Sequence, residues 1–309
     1  MKPSFAIIGC GKVGTVLGKF LAEAGYRPAG FASRSLSSAR QAAESAGAPD
    51  CCFENMWDAA KRADIVFITT PDGAIKSAFT AIAENRGFAG NTIIFHCSGA
   101  LSSAELTLDG VSGTSVGDMG GEMGEIMTGS IHPLQSFAAR ETGNPFENIM
   151  MAVEGDAGAV ETARKIATDL GARPFTIHTD GKILYHAAAV VASNYLVTLM
   201  NLAIELMAAS GLSAQEAFEI LTPLIKGTLA NIKTTGIPDA LTGPIARGDV
   251  SIVEKHVQAI CALSDKEAGQ KAEEMADYYI RNGIETIKIA RAKGTLSETA
   301  AEELLKIFR

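Results

Sequence analysis

The sequence predicts an α/β protein, with a doubly wound, mostly parallel sheet over residues 1–179 and an all-α domain over residues 180–309. Three observations carry this. A glycine-rich turn joins the first apolar run to the first helical stretch. Short β-type runs then alternate with helical stretches as far as residue 178. Beyond residue 180 the pattern is helical and punctuated by capping signals. A length of 309 residues suits two domains of ordinary size, and 47% apolar with 20% charged residues is a globular composition.

The β-type runs fall at 5–8, 28–32, 65–69, 92–96, 129–132, 149–153 and 174–178, with helix-like segments such as 13–24, 38–46 and 157–170 between them. The first run leads into Gly9-Cys10-Gly11-Lys12-Val13-Gly14, a G-x-G-x-x-G turn in the strand-to-helix context it requires. Gly9 serves the tight turn, Gly11 the approach of a pyrophosphate and Gly14 the close packing of helix on strand. The N–H groups of Lys12 and Val13 at the helix start favour phosphate. A dinucleotide is the expected ligand, and a methyltransferase is the rival use of such a turn. Both NAD and S-adenosylmethionine sites usually place an acid after the second strand. Here that position reads Ser33-Arg34-Ser35, with no acid. Arg34 suits a 2′-phosphate and the flanking serines can donate to it, so NADP(H) is the expected cofactor.

Ligands of such sheets lie beyond the carboxyl ends of the strands. Those ends give Thr70, Pro71 and Ser98 as neighbours of the ribose and nicotinamide. His96 reads as a structural residue at a strand end, and His132 is the better candidate for chemistry. Residues 110–129 hold seven glycines and three methionines and read as a mobile surface loop before the next strand.

A helix is predicted from 181 to about 210. It is apolar nearly all round, which implies burial between helices or in a subunit interface. Its polar residues are therefore informative. Lys182 and His186 are four apart and share a face, Ser193 continues the stripe three turns on and Asn194 flanks it. A lysine and a histidine together can provide a proton and polarise a carbonyl or imine oxygen. Asn231, in the next long helix, and Arg247, after a Gly-Pro turn, are candidates for substrate binding, Arg247 for a carboxylate. Capping boxes are expected at Ser213/Glu216, Ser251/Glu254, Ser264/Glu267 and Thr295/Glu298. Gly211, Gly236 and Gly283 suit helix ends.

A net charge of −8 without basic blocks argues against nucleic acid and anionic membrane surfaces as partners. The most apolar long segment, 183–212, is interrupted by His186, Asn194, Asn201 and Glu205, so no membrane span is expected, nor does the N-terminus read as a signal peptide. Five cysteines without C-x-x-C spacing imply neither a disulfide framework nor a structural zinc site, and no metal is expected. A reducing compartment, the cytoplasm, follows from that usage.

Taken together, the glycine turn, Ser33-Arg34-Ser35, His96-Cys97-Ser98-Gly99, His132-Pro133-Leu134-Gln135, the stretch from Lys182 to His186, Ala192-Ser193-Asn194-Tyr195 and the stretch from Gly243 to Asp249 resemble the Rossmann-like proteins with a C-terminal DUF2520 domain. Those are labelled NADP oxidoreductase, coenzyme F420-dependent-like. The wider resemblance is to ketopantoate reductase, the β-hydroxyacid dehydrogenases, pyrroline-5-carboxylate reductase and the superfamily with 6-phosphogluconate dehydrogenase-like C-terminal domains. It implies an NADP-dependent oxidoreductase acting on a small carbonyl or imine compound, dimeric through its helical domain. It also implies a substrate-acting lysine at Lys182, with His186 where ketopantoate reductase and the β-hydroxyacid dehydrogenases carry an asparagine. A non-catalytic NADP-binding sensor and an F420-dependent NADP reductase are the alternatives.

Overall fold

The computed structural model describes residues 1–108, 126–136, 143–265 and 269–309, which form two compact units, Met1–Ala192 and Ser193–Arg309. The first unit runs past the boundary expected at 179. The reason is that the helix after that boundary sends its first side chain, Lys182, into the sheet unit.

The first unit is an eight-stranded sheet. Its strands are β1 (Ser4–Ile8), β2 (Arg27–Ala32), β3 (Cys52–Phe53), β4 (Ile65–Ile68), β5 (Ile93–His96), β6 (Met127–Pro133), β7 (Met150–Gly155) and β8 (Arg173–Thr176). Their order is β3-β2-β1-β4-β5-β6-β7-β8. Every neighbouring pair is parallel except β6 and β7. The two-residue β3 is not foreseen by the sequence pattern, because two residues show no alternation. Between the strands lie α1 (Lys12–Glu23), α2 (Leu36–Ser45), α3 (Met56–Ala60), α4 (Ile75–Glu84) and α5 (Ala157–Asp169), and α6 (Lys182–Val190) follows β8.

Strand alternation builds two cores, one on each face. Phe5, Ile7, Phe31, Phe67 and Phe95 pack with Leu17, Leu21 and the alanines of α2 and α5. Ala6, Ile8, Val66, Ile68 and Ile94 pack under α3 and α4. Phe67 and Phe95 stack at 5.6 Å, and Phe5 meets Phe31 edge-on at 5.9 Å, which ties neighbouring strands by geometry as well as by area. Residues 110–125 of the predicted loop lie outside the described residues. Its last three residues are strand, since β6 begins at Met127.

The second unit is helical: α7 (Leu196–Ala209), α8 (Ala214–Thr235), α9 (Ile237–Ala240), α10 (Pro244–Arg247), α11 (Val250–Cys261), α12 (Gly269–Lys293) and α13 (Glu298–Ile307). A π-helical segment, Val191–Tyr195, links α6 to α7. The box at Ser213/Glu216 is present in both directions. At α13 the cap is Ser297 rather than Thr295, whose hydroxyl donates to the Ala246 carbonyl. Ser251 lies inside α11, whose N-cap is Asp249. The Ser264/Glu267 box falls partly outside the described residues. Gly211 and Gly236 end helices with positive φ, but Gly283 is mid-helix, where a Cβ would come within 2.4 Å of the Phe308 ring.

The long apolar helix departs from expectation. α6, the π segment and α7 form one helical run, Thr179–Ala209, long and apolar enough by length and composition to cross a membrane. Its interrupting polar residues do not break the helix, because only side chains, not the backbone, change at them. Most of this run is exposed, Leu184 and Val197 at 75% and 70%, so the expected burial between helices of the same chain is not found.

Candidate active site

The turn after β1 has the geometry its glycines allow. Gly9 has φ +103, its N–H donates to the Ala32 carbonyl, and its own carbonyl accepts from the Thr69 hydroxyl at 2.6 Å. A Cβ at Gly14 would stand 2.3 Å from the Gly9 oxygen and 2.4 Å from Thr69 Oγ1, whereas one at Gly11 would meet nothing within 4 Å. The turn is therefore tight where it packs and open at Gly11, the N-cap of α1, where the first N–H groups of the helix are free. Lys12 is exposed and Val13 half-buried beside that opening. At the end of β2, Ser33 is half-buried, Arg34 and Ser35 are exposed, and the Ser35 and Ser37 hydroxyls pair at 2.6 Å. Thr70 is half-buried with an unpaired hydroxyl oxygen, and Pro71 is exposed after β4. Ser98 is buried and caps its own loop, its hydroxyl accepting from the N–H groups of Ala100 and Leu101.

The same carboxyl-end edge of the sheet carries a polar cluster that the fold assembles from distant residues. Glu154 on β7 is 2% exposed and Lys182 on α6 is 1% exposed. Lys182 Nζ lies 3.2 Å from Glu154 Oε1 and also contacts the Ser130 hydroxyl on β6. Glu154 further accepts from the N–H (2.9 Å) and hydroxyl (2.7 Å) of Ser103 and from Thr179 Oγ1 at 3.1 Å. Burial pushes the Glu154 carboxyl up, but Lys182 and the Ser103 donors overcome it and hold the carboxyl below its ordinary range. Burial also lowers Lys182, against the pull of Glu154.

Three imidazoles stand around this pair. His96, at the end of β5, is fully buried and accepts from the Ser98 N–H at 3.2 Å. His132, in β6, is half-buried, with Nδ1 2.8 Å from the Tyr185 hydroxyl. His186, half-buried on α6, has a buried Nδ1 without a hydrogen-bond partner. Gly99 packs between them: a Cβ there would lie 2.6 Å from His186 Nδ1 and 2.8 Å from His132 Nε2. Burial first, then the Lys182 cation, lowers His96 to about 4; burial, Lys182 and the two other imidazoles lower His132 to about 4. Both rings are therefore neutral at physiological pH.

Lys182 and His186, which the sequence placed on one helix face, are brought together with His132, but Lys182 is not poised at an open surface. Its ammonium is enclosed by Ser130 and Glu154, because α6 starts directly against the sheet. Ser193 and Asn194 belong to the second unit and are exposed. Asn231 is exposed on α8. Arg247 is exposed, and Asp249 engages it at Nε (2.9 Å) and at a terminal nitrogen (2.8 Å). Glu154, Ser130, Ser103 and Tyr185 are missed by sequence reading. An acid within the apolar run of β7 is the one signal that pointed to Glu154, since a charge inside a strand core needs a partner.

Residues 2–110 match the Rossmann-like domain family, and residues 149–285 match a domain of unknown function, DUF2520. Among curated proteins, none matches this sequence. Of the solved structures, protein TM1727 from Thermotoga maritima is 26% identical, covering 94% of this chain and 99% of that one, with a TM-score of 0.62. An imine reductase from Pseudomonas sp. is 17% identical over 100% of both chains at a TM-score of 0.62. An imine reductase from Myxococcus stipitatus in complex with NADP+ is 16% identical, covering 98% and 100%, at 0.63. The last two likenesses are of fold.

Proposed function

We propose that this chain, a Rossmann-like domain followed by a DUF2520 domain, is an NADP(H)-dependent oxidoreductase of a small carbonyl compound, such as a keto acid, or of an imine. One observation carries the reading. A phosphate-ready turn and a buried cluster of proton-holding groups lie at the carboxyl ends of strands in one sheet. Gly9, Gly11 and Gly14 leave the backbone open to a pyrophosphate, with the N–H groups of Lys12 and Val13 as donors. Ser33, Arg34 and Ser35 fit a 2′-phosphate, as the β2 end presents a cation and hydroxyls. Thr70, Pro71 and Ser98 would flank the ribose and nicotinamide.

Bound NADPH would supply hydride; the chain's own work is to orient the acceptor and to furnish a proton. His132, Tyr185, Lys182 and His186 are the proton-bearing groups gathered at this edge. The neutral His132 imidazole suits an oxyanion or a developing amine without adding a buried cation. NADP+ in the Myxococcus stipitatus imine reductase, a structure of like fold, supports the cofactor.

The exposed face of α7 and α8 supports a homodimer through the helical domain. Val197, Phe218 and Leu224 are 70%, 54% and 66% exposed, and a groove of about 520 Å³ opens among Leu196, Val197, Met200, Phe218 and Ile225. A second copy covering this face would remove these exposed apolar side chains from water. All five cysteines are free thiols, which supports a cytoplasmic location.

The test is NADPH binding by fluorescence titration, followed by NADPH oxidation against a panel of 2-keto acids and cyclic imines. Binding with turnover of any member is expected. Tight binding without turnover, deazaflavin acceptors included, would instead identify a sensor.

A further inference from the structure

We propose that the proton donor of this site is Tyr185, held by His132, and that Lys182 is a positioning residue that acts on the imidazoles and not on the substrate. The proposal rests on the oxidoreductase reading above. Lys182 is 1% exposed and its ammonium is enclosed between Ser130 and Glu154. A substrate could reach it only by displacing a buried ion pair, a loss of the kind that costs several-fold more than an exposed one. Tyr185 and His132 are both half-buried and so keep an accessible portion. The tyrosine ring is fixed on two sides, edge-on to His132 at 5.7 Å and against Phe175 at 6.0 Å. Its hydroxyl lies 2.8 Å from His132 Nδ1, so its direction is set before any ligand arrives.

The chemistry of the pair fits a donor. Burial pushes the Tyr185 phenol up to about 12, so it keeps its proton until a stronger base forms beside it. Hydride donated by bound NADPH, which would lose a nicotinamide C–H bond and become NADP+, forms a C–H bond on a carbonyl or neutral imine and leaves the oxygen or nitrogen negative. The Tyr185 O–H bond then breaks and an O–H or N–H bond forms on the product. The phenolate is left facing His132 Nδ1, which as the N–H tautomer donates to it, and solvent returns the proton. A neutral His132 is needed for this. The groups facing it are Lys182, Tyr185 and His186 on α6 and His96 on β5, while Glu154 on β7 and Asp72 after β4 oppose the cationic influence at His96. Burial first, and then the fixed positive charge of Lys182, which contacts Ser130 two residues before His132 on β6, keep the ring unprotonated.

The experiment uses the full chain with histidine labelled for NMR, H132N assigning the resonance. In wild type His132 is expected to titrate near pH 4. K182M is expected to raise that midpoint by about one pH unit or more, and K182R to leave it in place. If K182M fails to fold, K182M/E154L leaves no buried charge unpaired and gives the same readout. A midpoint that does not move overturns the role of Lys182. With NADPH and 1-pyrroline or pyruvate as probes, Y185F is expected to lower kcat about 100-fold with an unchanged NADPH Kd. Activity within about twofold of wild type overturns the donor. NADPH binding without consumption of either probe refutes the oxidoreductase reading instead, and the donor assignment falls with it. The histidine midpoint separates the two failures.

Discussion

Replacing Glu154 by alanine should destabilise the first unit more than any surface substitution. Four donors converge on that carboxylate: Lys182 Nζ, the Ser103 N–H and hydroxyl, and the Thr179 hydroxyl. Both charges are almost wholly buried, at 1% and 2% of side-chain surface. Removing one partner of such a pair costs about 3–5 kcal/mol, chiefly because the remaining charge is left without compensation. For a unit of this size that is roughly 6–20 °C in Tm. The variant can relieve the cost by releasing the Lys182 proton. Its folded lysine is then neutral while the unfolded one is charged. The unfolded state binds more protons, so stability rises with pH, by up to about 1.4 kcal/mol per unit, as far as the ordinary lysine range near pH 10. Trp57, the single tryptophan, sits in α3 of the first unit, so urea unfolding followed by its fluorescence reads this unit. E154A should show the loss at pH 7 and a steeper rise from pH 7 to 9 than wild type. A loss under about 1 kcal/mol, or a slope equal to that of wild type, would refute the compensated-pair argument.

Four further outcomes are expected. In wild type, the folded-state carboxyl of Glu154 is held below its ordinary value, so its contribution is present above pH of about 4.3 and is lost as pH falls through the lower folded value; E154Q should flatten this acid limb of Tm against pH. Gly14→Ala should lower Tm and abolish NADPH binding together, since its Cβ would press on Gly9 and Thr69, while Gly11→Ala should leave Tm unchanged and weaken NADPH alone. Arg34→Ala should weaken NADPH about tenfold, a single charge-assisted contact, with NADH hardly affected, read by paired fluorescence titrations. Val197→Glu with Leu224→Glu should convert the proposed homodimer to monomer in sedimentation velocity with helical circular dichroism retained; an unchanged sedimentation coefficient would exclude this face from a dimer.

Local chemistry made much of the molecule legible. Gly9, Gly11 and Gly14 after an apolar run mark the strand-turn-helix unit, because the turn itself is set by residues near in the chain, while Thr69 on the neighbouring strand end closes on Gly9 and Gly14 only in the fold. The alternation that puts Phe5 and Ile7 on one face and Ala6 and Ile8 on the other follows from strand geometry, and the box at Ser213 and Glu216 from helix geometry. The spacing of Lys182 and His186 brought both to the cluster, since a helix carries residues four apart on one side. The same spacing gave no sign that Lys182 would be enclosed.

That enclosure was decided by tertiary structure. Lys182 meets Ser130 and Glu154, 52 and 28 residues away, and His132 meets Tyr185, 53 away. The antiparallel β6–β7 pair, set against the parallel remainder, places Ser130 opposite Glu154 in register. Sequence by itself determined the elements and the cofactor turn, because those rest on interactions within a few residues. Whether a titratable side chain faces water, substrate or another charge depends on which strands become neighbours. That is why the lysine read from sequence as proton donor or oxyanion stabiliser is buried as a partner of Glu154, while the donor proposed above, Tyr185, stands against His132.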